Sequence, residues 1–170
     1  MYTDATFKEV PKGFYQVLVF MGYSRSLKKY VPCAYVLMTG KTSECYYQAF
    51  SWLHGECPDL SPFSVGVDFE RALLETAQAQ FPDAIIVGCL FHWKQAILKK
   101  LKALGVRSDQ RSYALKQGVM DVLTVIPREE LEDGIAFVKN EIDFFVRHNT
   151  DDYAGDKLLW EAFWENYFKK

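Results

Sequence analysis

The sequence has no long hydrophobic run, few cysteines and no large excess of charge of either sign. Its longest apolar stretch, residues 14–21, is far shorter than the roughly 20 residues of a membrane-spanning helix. Its 4 cysteines follow no signal peptide, which favours reduced thiols over a secreted disulfide framework. A net charge of -2 excludes a uniformly basic nucleic-acid-binding protein but allows a local basic surface. These absences predict an intracellular protein with no membrane partner.

Hydrophobic residues make up 49% of the 170 residues and aromatic residues 16%, which is enough for a sizeable buried core. Three β-prone segments come first, over residues 2–8, 14–21 and 30–38. A polar hairpin over residues 22–29 joins the second segment to the third. This part of the chain predicts an antiparallel meander.

Helical and strand patterns alternate after the meander. In order they are a helix over residues 43–54 capped by Thr42 or Ser43, a strand over 63–68, a helix over 69–81, a strand over 84–89 and a helix over 91–104. The fifth strand is apolar throughout, which is typical of a parallel strand covered on both faces. The pattern predicts an α/β protein with a five-stranded mixed sheet in the order βββαβαβα.

From Gly105 the strand signals stop, and apolar residues recur only at helical spacing, over residues 115–126, 131–145 and 159–167. We therefore expect two domains, residues 1–105 with the sheet and an α-helical section over residues 106–170. Because the first strand pattern starts at the first residue and the last helical pattern runs to the end, we expect a fragment with a truncated first strand and an incomplete helical section.

Two aspartates are tied to predicted strands, Asp4 in the first and Asp68 at the end of the fourth. If the fourth strand docks in parallel beside the first, the two residues lie on neighbouring strands about 4.8 Å apart. Carboxylates at that separation repel each other unless a cation bridges them or one is protonated, and oxygen ligands favour Mg²⁺ or Mn²⁺. In the structural alternative, Asp68 caps the following helix and Asp4 is simply solvated. Spacing alone leaves both interpretations open.

Several short words along the chain resemble the transposase domain of Mutator-like elements. They are Asp4-Ala5-Thr6-Phe7-Lys8 with Pro11, Phe14 and Gln16, then Val67-Asp68-Phe69-Glu70 with Ala72, then Phe81-Pro82, and then Cys89-Leu90-Phe91-His92 with Gln95. Each word alone is weak, but the ordered set is specific. The similarity extends into the helical section, at Pro127 and over residues 163–168.

The resemblance implies a ribonuclease H-like fold in which two Asp residues and one Glu hold two divalent metal ions for cleavage and transfer of DNA strands. Asp4 matches the first acid and Asp68 the second, so both are expected to be catalytic and to bind Mg²⁺ or Mn²⁺. The third acid of the family lies in a Thr-Asn-Asn-x-x-Glu word that this sequence does not contain. Glu161 and Glu165 have a different context and are not assigned. We expect the chain to stop short of its last catalytic residue and to be inactive alone.

Two metal-ligand spacings, His54-x-x-Cys57 and Cys89-x-x-His92, together suggest zinc. In the predicted fold the pairs lie at opposite ends of the strands, roughly 15 Å apart, so zinc is not expected. His92 is expected near the two aspartates. There it would contact the scissile phosphate or a carboxylate, or else make a structural hydrogen bond at the start of its helix. Cys89 is expected to serve packing.

Cations cluster in two places. The helix after the fifth strand and the loop beyond it supply Lys94, Lys99, Lys102 and Arg107, and the hairpin supplies Arg25, Lys28 and Lys29. Such runs are often only solvated. The helix, however, begins at the edge expected to hold the metal ions, so its cations and Arg107 are candidate contacts to a DNA backbone.

The predicted function is that of a transposase acting on double-stranded DNA, at transposon ends and at target sites, in the nucleus if the host is eukaryotic. A homo-oligomer is a further candidate partner. Two alternatives stay open: a domesticated or decayed derivative that binds DNA or protein without cutting, and a nuclease of the same fold without strand transfer.

Overall fold

The computed structural model describes residues 1–6 and 10–167, and its five-stranded sheet has the order β3-β2-β1-β4-β5. The strands are β1 Tyr2–Thr6, β2 Gln16–Ser24, β3 Lys29–Met38, β4 Ser64–Val67 and β5 Ile85–Gly88. β2 pairs antiparallel with β1 and β3, and β4 pairs in parallel with β1 and β5. The predicted α/β class and mixed sheet are confirmed. Phe7 and Lys8, predicted to continue the first strand, lie outside the described residues.

Six α-helices are described in residues 43–167. They are α1 Ser43–Glu56, α2 Arg71–Gln80, α3 Leu90–Ala103, α4 Ser108–Ala114, α5 Leu131–Asn149 and α6 Tyr153–Tyr167. Short 3₁₀ helices cover Met120–Thr124 and Arg128–Glu130. Within the described ranges, no helix combines the length and the apolar character that crossing a bilayer requires.

Helix α1 begins and packs as the sequence predicts. The Thr42 side chain accepts a hydrogen bond from the Cys45 N–H, which satisfies one of the donors left over at a helix start. Tyr46, Phe50 and Leu53 are buried. The Phe50 ring meets Phe20 of β2 edge-on at a centroid distance of 5.1 Å, so this face of α1 covers one face of the sheet.

The opposite face of the sheet carries exposed apolar side chains. Tyr35 and Leu37 of β3 and Ile85 and Val87 of β5 are all exposed. The prediction that the fifth strand is covered on both faces is therefore wrong. The reason is position, because β5 is an edge strand of the sheet, and composition alone does not distinguish an edge strand from a central one.

The chain divides into two compact units between Cys89 and Leu90, whereas the sequence pattern put the boundary after residue 105. The physical reason lies in α3. Its fully buried residues, Ile97 and Leu101, pack into the hydrophobic cluster of the second unit. Helix α3 therefore contributes to the core of the helical section.

The single helix predicted over residues 115–126 is not present in that form. Gly118 has a φ of +84°, and a 3₁₀ helix over Met120–Thr124 follows it. The Asp121 carboxylate accepts the Gly118 N–H at 2.8 Å and stabilises the break. The apolar spacing nevertheless located buried residues, because Val119 and Leu123 lie in the core. Helix α4 was not predicted.

Candidate metal centre

Asp4 and Asp68 lie side by side on neighbouring parallel strands. Tyr2 of β1 pairs with Gly66 of β4, and the Gly66 N–H donates to the Met1 carbonyl at 2.9 Å. Two residues further along each strand, this register puts Asp4 level with Asp68. The two carboxylates each present an oxygen within 4.8 Å of the other. The predicted parallel docking of the fourth strand beside the first is confirmed.

Local backbone groups orient both carboxylates. The Ala5 N–H donates to Oδ1 of Asp4 at 2.9 Å, and the Glu70 N–H donates to Oδ1 of Asp68 at 2.8 Å. Asp68 thus makes the local hydrogen bond of the structural alternative, yet it also lies beside a second acid. The two roles are compatible, because a carboxylate has two oxygens and about four acceptor positions.

Tyr2 forms a wall of the site that the sequence analysis did not single out. Its ring lies against Gly66, where an added Cβ would come within 2.5 Å of Tyr2 Cδ2. Its hydroxyl donates to Cys89 Sγ at 2.9 Å. The available signal was period-two spacing, which puts residue 2 on the same face of β1 as Asp4. The contact with Gly66 could not be predicted, because nothing in the sequence marks that glycine as the residue against which the Tyr2 ring packs.

The electrostatic field around the pair is negative. Burial raises the pKa of Tyr2 well above its ordinary value, and the hydrogen bond to Cys89 and the charges of Asp4 and Asp68 raise it further. Burial likewise raises the pKa of Tyr46, although its hydrogen bond with Gln16 acts in the opposite direction. Both phenols therefore stay protonated at neutral pH.

A third acid, Glu70, lies close to the pair along the chain. It has a cation of its own, because Lys41 Nζ lies 4.0 Å from Glu70 Oε1. Asp68 and Glu70 also both raise the pKa of Tyr46. Glu70 therefore has a cation nearby, whereas Asp68 lies beside a second acid.

The oxygen ligands of Asp4 and Asp68 fit a hard divalent cation. The two carboxylates on adjacent strands supply oxygen ligands, which Mg²⁺ and Mn²⁺ prefer. Magnesium in proteins is commonly held by one or two carboxylates, with water and substrate phosphate completing its shell. The pair is thus suited to a cation that also contacts a phosphate.

The residues of the zinc alternative do not gather within the first unit. His54 lies in the last turn of α1 and stacks on Phe81 at a centroid distance of 4.8 Å, and Cys57 is the exposed C-cap of the same helix. Cys89 accepts its hydrogen bond from Tyr2. In the described part of that unit, these three side chains form no common group of possible ligands.

The remaining predicted residues lie in the second unit. His92 is in the first turn of α3. The Lys94 ammonium is held inside this unit, donating to the Leu115 carbonyl at 3.1 Å and to Asp121 Oδ2 at 2.9 Å. Lys99 and Lys102 are exposed.

The last predicted DNA contact, Arg107, makes several bonds within the second unit. Its guanidinium donates to the Thr150 hydroxyl and the Asp109 carboxylate, and more weakly to the Asn149 carbonyl. Its side chain is nevertheless 47% exposed. Lys94 and Arg107 therefore make structural bonds within the second unit.

Comparison with known proteins gives one result that bears on this site. A family model described as the MULE transposase domain matches residues 1–96. That span contains the whole first unit, including both aspartates, and the first turns of α3. The match does not reach Pro127 or residues 163–168, where the sequence also resembles the family. No curated protein and no solved structure gives a significant match.

Proposed function

The chain belongs to the MULE transposase domain family, and from that premise we propose that it is the metal-binding core of a DNA transposase with a ribonuclease H-like fold. The observation that carries the proposal is the adjacency of Asp4 and Asp68 on two parallel strands. Two ionised carboxylates on neighbouring strands repel each other unless a cation bridges them or one is protonated.

In this proposal, Asp4 and Asp68 hold Mg²⁺ or Mn²⁺ through their carboxylate oxygens, as two of three acids that serve two ions. When bound, such ions supply positive charge for the attacking and leaving oxygens of a phosphodiester. The hydrogen bonds from the Ala5 and Glu70 N–H groups keep the two carboxylates oriented. Tyr2 closes one side of the site and stays neutral, so it adds no charge of its own.

The substrate of the proposed reaction is double-stranded DNA, at transposon ends and at a target. Cleavage is hydrolysis of a phosphodiester, which leaves a 3′ hydroxyl on one product and a 5′ phosphate on the other. Joining is a transesterification. The 3′ oxygen forms a bond to a phosphorus of the target strand, and the oxygen that was bonded there leaves as a new 3′ hydroxyl. Among the predicted backbone contacts, Lys99 and Lys102 are the exposed lysines of α3. The nuclear site of action and the homo-oligomer stay predictions.

The proposal is tested by metal binding before any assay of activity. Calorimetric titration of the metal-free chain with Mn²⁺ should give binding that Asp4→Asn and Asp68→Asn each abolish. Asp83→Asn is the matched control, because Asp83 is an exposed acid in the turn before β5. Binding that survives both changes at the pair, or that is lost equally in the control, would contradict the proposal.

Nicking and joining of labelled DNA then separate the candidate functions. Metal-dependent cleavage with joining, lost in Asp68→Asn, supports a transposase, and cleavage without joining indicates a nuclease. Metal and DNA binding without cleavage, in a protein extended at both ends, favours the non-catalytic derivative. Including His92→Ala tests the role predicted for His92: in a variant that circular dichroism shows to be folded, a lower cleavage rate supports the predicted contact, and an unchanged rate indicates a structural role.

A further inference from the structure

A row of tyrosines crosses the sheet from the acidic pair to the β2–β3 hairpin. Tyr2 lies two residues before Asp4 on β1, and both residues are on the face opposite α1 and α2. The Tyr2 ring is 6.2 Å from that of Tyr30, and the Tyr30 ring is 5.4 Å from that of Tyr23, between centroids. Tyr23 and Tyr30 are directly opposed in the β2–β3 ladder. The three rings therefore form one continuous aromatic surface, which we call the tyrosine row.

The outer part of the row is open to solvent. Tyr23 is 55% exposed and Tyr30 is 52% exposed, in contrast to Tyr46, which is fully buried on the other face. Aromatic residues of a sheet whose only role is packing bury their rings against a core. Half-exposed rings that touch each other offer a flat apolar surface to a partner instead.

The hairpin that ends the row is cationic. Arg25, Lys28 and Lys29 are all exposed. Across residues 1–6 and 10–167, no carboxylate lies within ion-pair distance of any of these three cations. Lys28 occupies the left-handed region, with φ at 51°, in the turn between the strands. In a chain of net charge -2, this cluster is a local site for an anionic partner.

We propose that the tyrosine row and the hairpin cations form a track for one unpaired strand of DNA that leads to Asp4 and Asp68. The choice of DNA rests on the proposed function. Exposed rings stack on bases, and cations beside them contact phosphates, which is the combination that binds single strands with little sequence preference. A duplex offers such a surface no free base faces, because its bases are already stacked and paired.

Binding measured in EDTA tests the track without any need for metal. A fluorescein-labelled single-stranded oligonucleotide, followed by anisotropy, should bind Tyr23→Ala and Tyr30→Ala roughly fivefold more weakly or worse. Tyr30→Phe keeps the ring and should bind almost as well as the parent chain. Tyr47→Ala is the matched control, because Tyr47 is 52% exposed but lies on α1. Circular dichroism of each variant shows whether it is folded.

Charge and specificity are tested in the same format. Arg25→Gln should reduce the magnitude of the slope of log affinity against log salt by about 0.7, whereas Arg71→Gln on α2 should leave the slope unchanged. The single strand should compete better than a duplex of the same length. Equal loss in Tyr47→Ala, unchanged affinity in both alanine variants of the row, or preference for the duplex would overturn the track. A change in sedimentation of the hairpin variants with unchanged DNA affinity would mark the surface as a contact between copies of the chain.

The track and the transposase proposal fail separately. Loss of Mn²⁺ binding in Asp68→Asn together with normal single-strand binding by the tyrosine variants would remove only the track. Weakened single-strand binding in those variants, in a chain that binds no Mn²⁺ at the acid pair, would remove only the metal-dependent function.

Discussion

Three acids of the helical unit and the acid pair of the sheet unit have different surroundings. In the helical unit, Asp121 is paired with Lys94, Asp143 with Arg147 and Tyr153, and Asp156 with Gln110. In the sheet unit, Asp4 and Asp68 lie next to each other. Asp4 and Asp68 also accept backbone N–H groups, but their charges are adjacent, and that repulsion costs stability unless a cation bridges them or one is protonated. The difference separates structural acids from candidate functional ones without reference to any relative.

The largest effect is expected from the buried acid of the helical unit. Asp156 accepts a hydrogen bond from Gln110 Nε2 at 2.6 Å, and Gln110 in turn accepts from the Trp160 indole at 2.9 Å. Asp156→Leu leaves the buried Gln110 amide without this acceptor and should lower the free energy of unfolding by about 1–3 kcal/mol. Asp151→Leu, at an exposed position, should change it little.

Urea unfolding followed by tryptophan fluorescence gives that measurement. Trp93, Trp160 and Trp164 lie in the helical unit and Trp52 in the sheet unit, so the signal reports mainly on the former. Equal midpoints for Asp156→Leu and Asp151→Leu would show that the network contributes nothing, and the contrast between the units would weaken.

A smaller effect of opposite sign is expected at the acid pair. In metal-free buffer, Asp68→Asn removes a like-charge repulsion and keeps an oxygen for the Glu70 N–H, so the sheet unit should become more stable by up to about 1 kcal/mol. Asp121→Asn removes the charge facing Lys94 and should instead destabilise the helical unit. Hydrogen exchange measured on peptides from β1 and from α3 reports the stability of the sheet unit and of the helical unit separately. Destabilisation in both variants would break the comparison.

The smallest effect is expected on the acid side of neutrality. The hydrogen bond from Tyr153, together with the hydrogen bond and the charge of Arg147, holds the pKa of Asp143 below its ordinary value. Burial acts to raise the pKa of Asp121, but the bonds from Lys94 and the Gly118 N–H outweigh it and the pKa is again lowered.

A lowered folded-state pKa stabilises above the unfolded-state value, and that contribution is lost as pH falls through the folded-state value. The helical unit should therefore lose stability below about pH 4. Asp143→Asn should flatten this acid limb of the fluorescence midpoint against pH, and Asp151→Asn should leave its slope intact. An unchanged limb in Asp143→Asn would exclude that acid as a contributor.

The sheet was predictable because its signals are local. Apolar segments and the Thr42 cap locate the elements, and few topologies join three antiparallel strands to two helix-linked ones. Asp4 and Asp68 followed from that topology. The break at Gly118 did not, because the Asp121 bond that stabilises it depends on the folded loop. The exposure of β5 was missed because burial depends on what packs outside the strand.

The other features that the sequence did not predict are long-range aromatic contacts. Tyr2 meets Gly66 and Cys89 across 64 and 87 positions of sequence, and no periodicity encodes such a contact. The same holds for the tyrosine row, in which Tyr2 and Tyr30 belong to different strands. The sequence could locate the two acids, but the surface that leads to them required the folded sheet.

The close packing of the Tyr2 ring against Gly66 restricts which residues relatives of this chain can carry at these two positions. A methyl group at position 66 would collide with the ring, so a homologue with a larger residue there must carry a smaller one at position 2 or move the first strand. The two positions should therefore covary in an alignment of relatives. A substitution at one of these positions should therefore be accompanied by a substitution at the other, although they are 64 positions apart in the sequence.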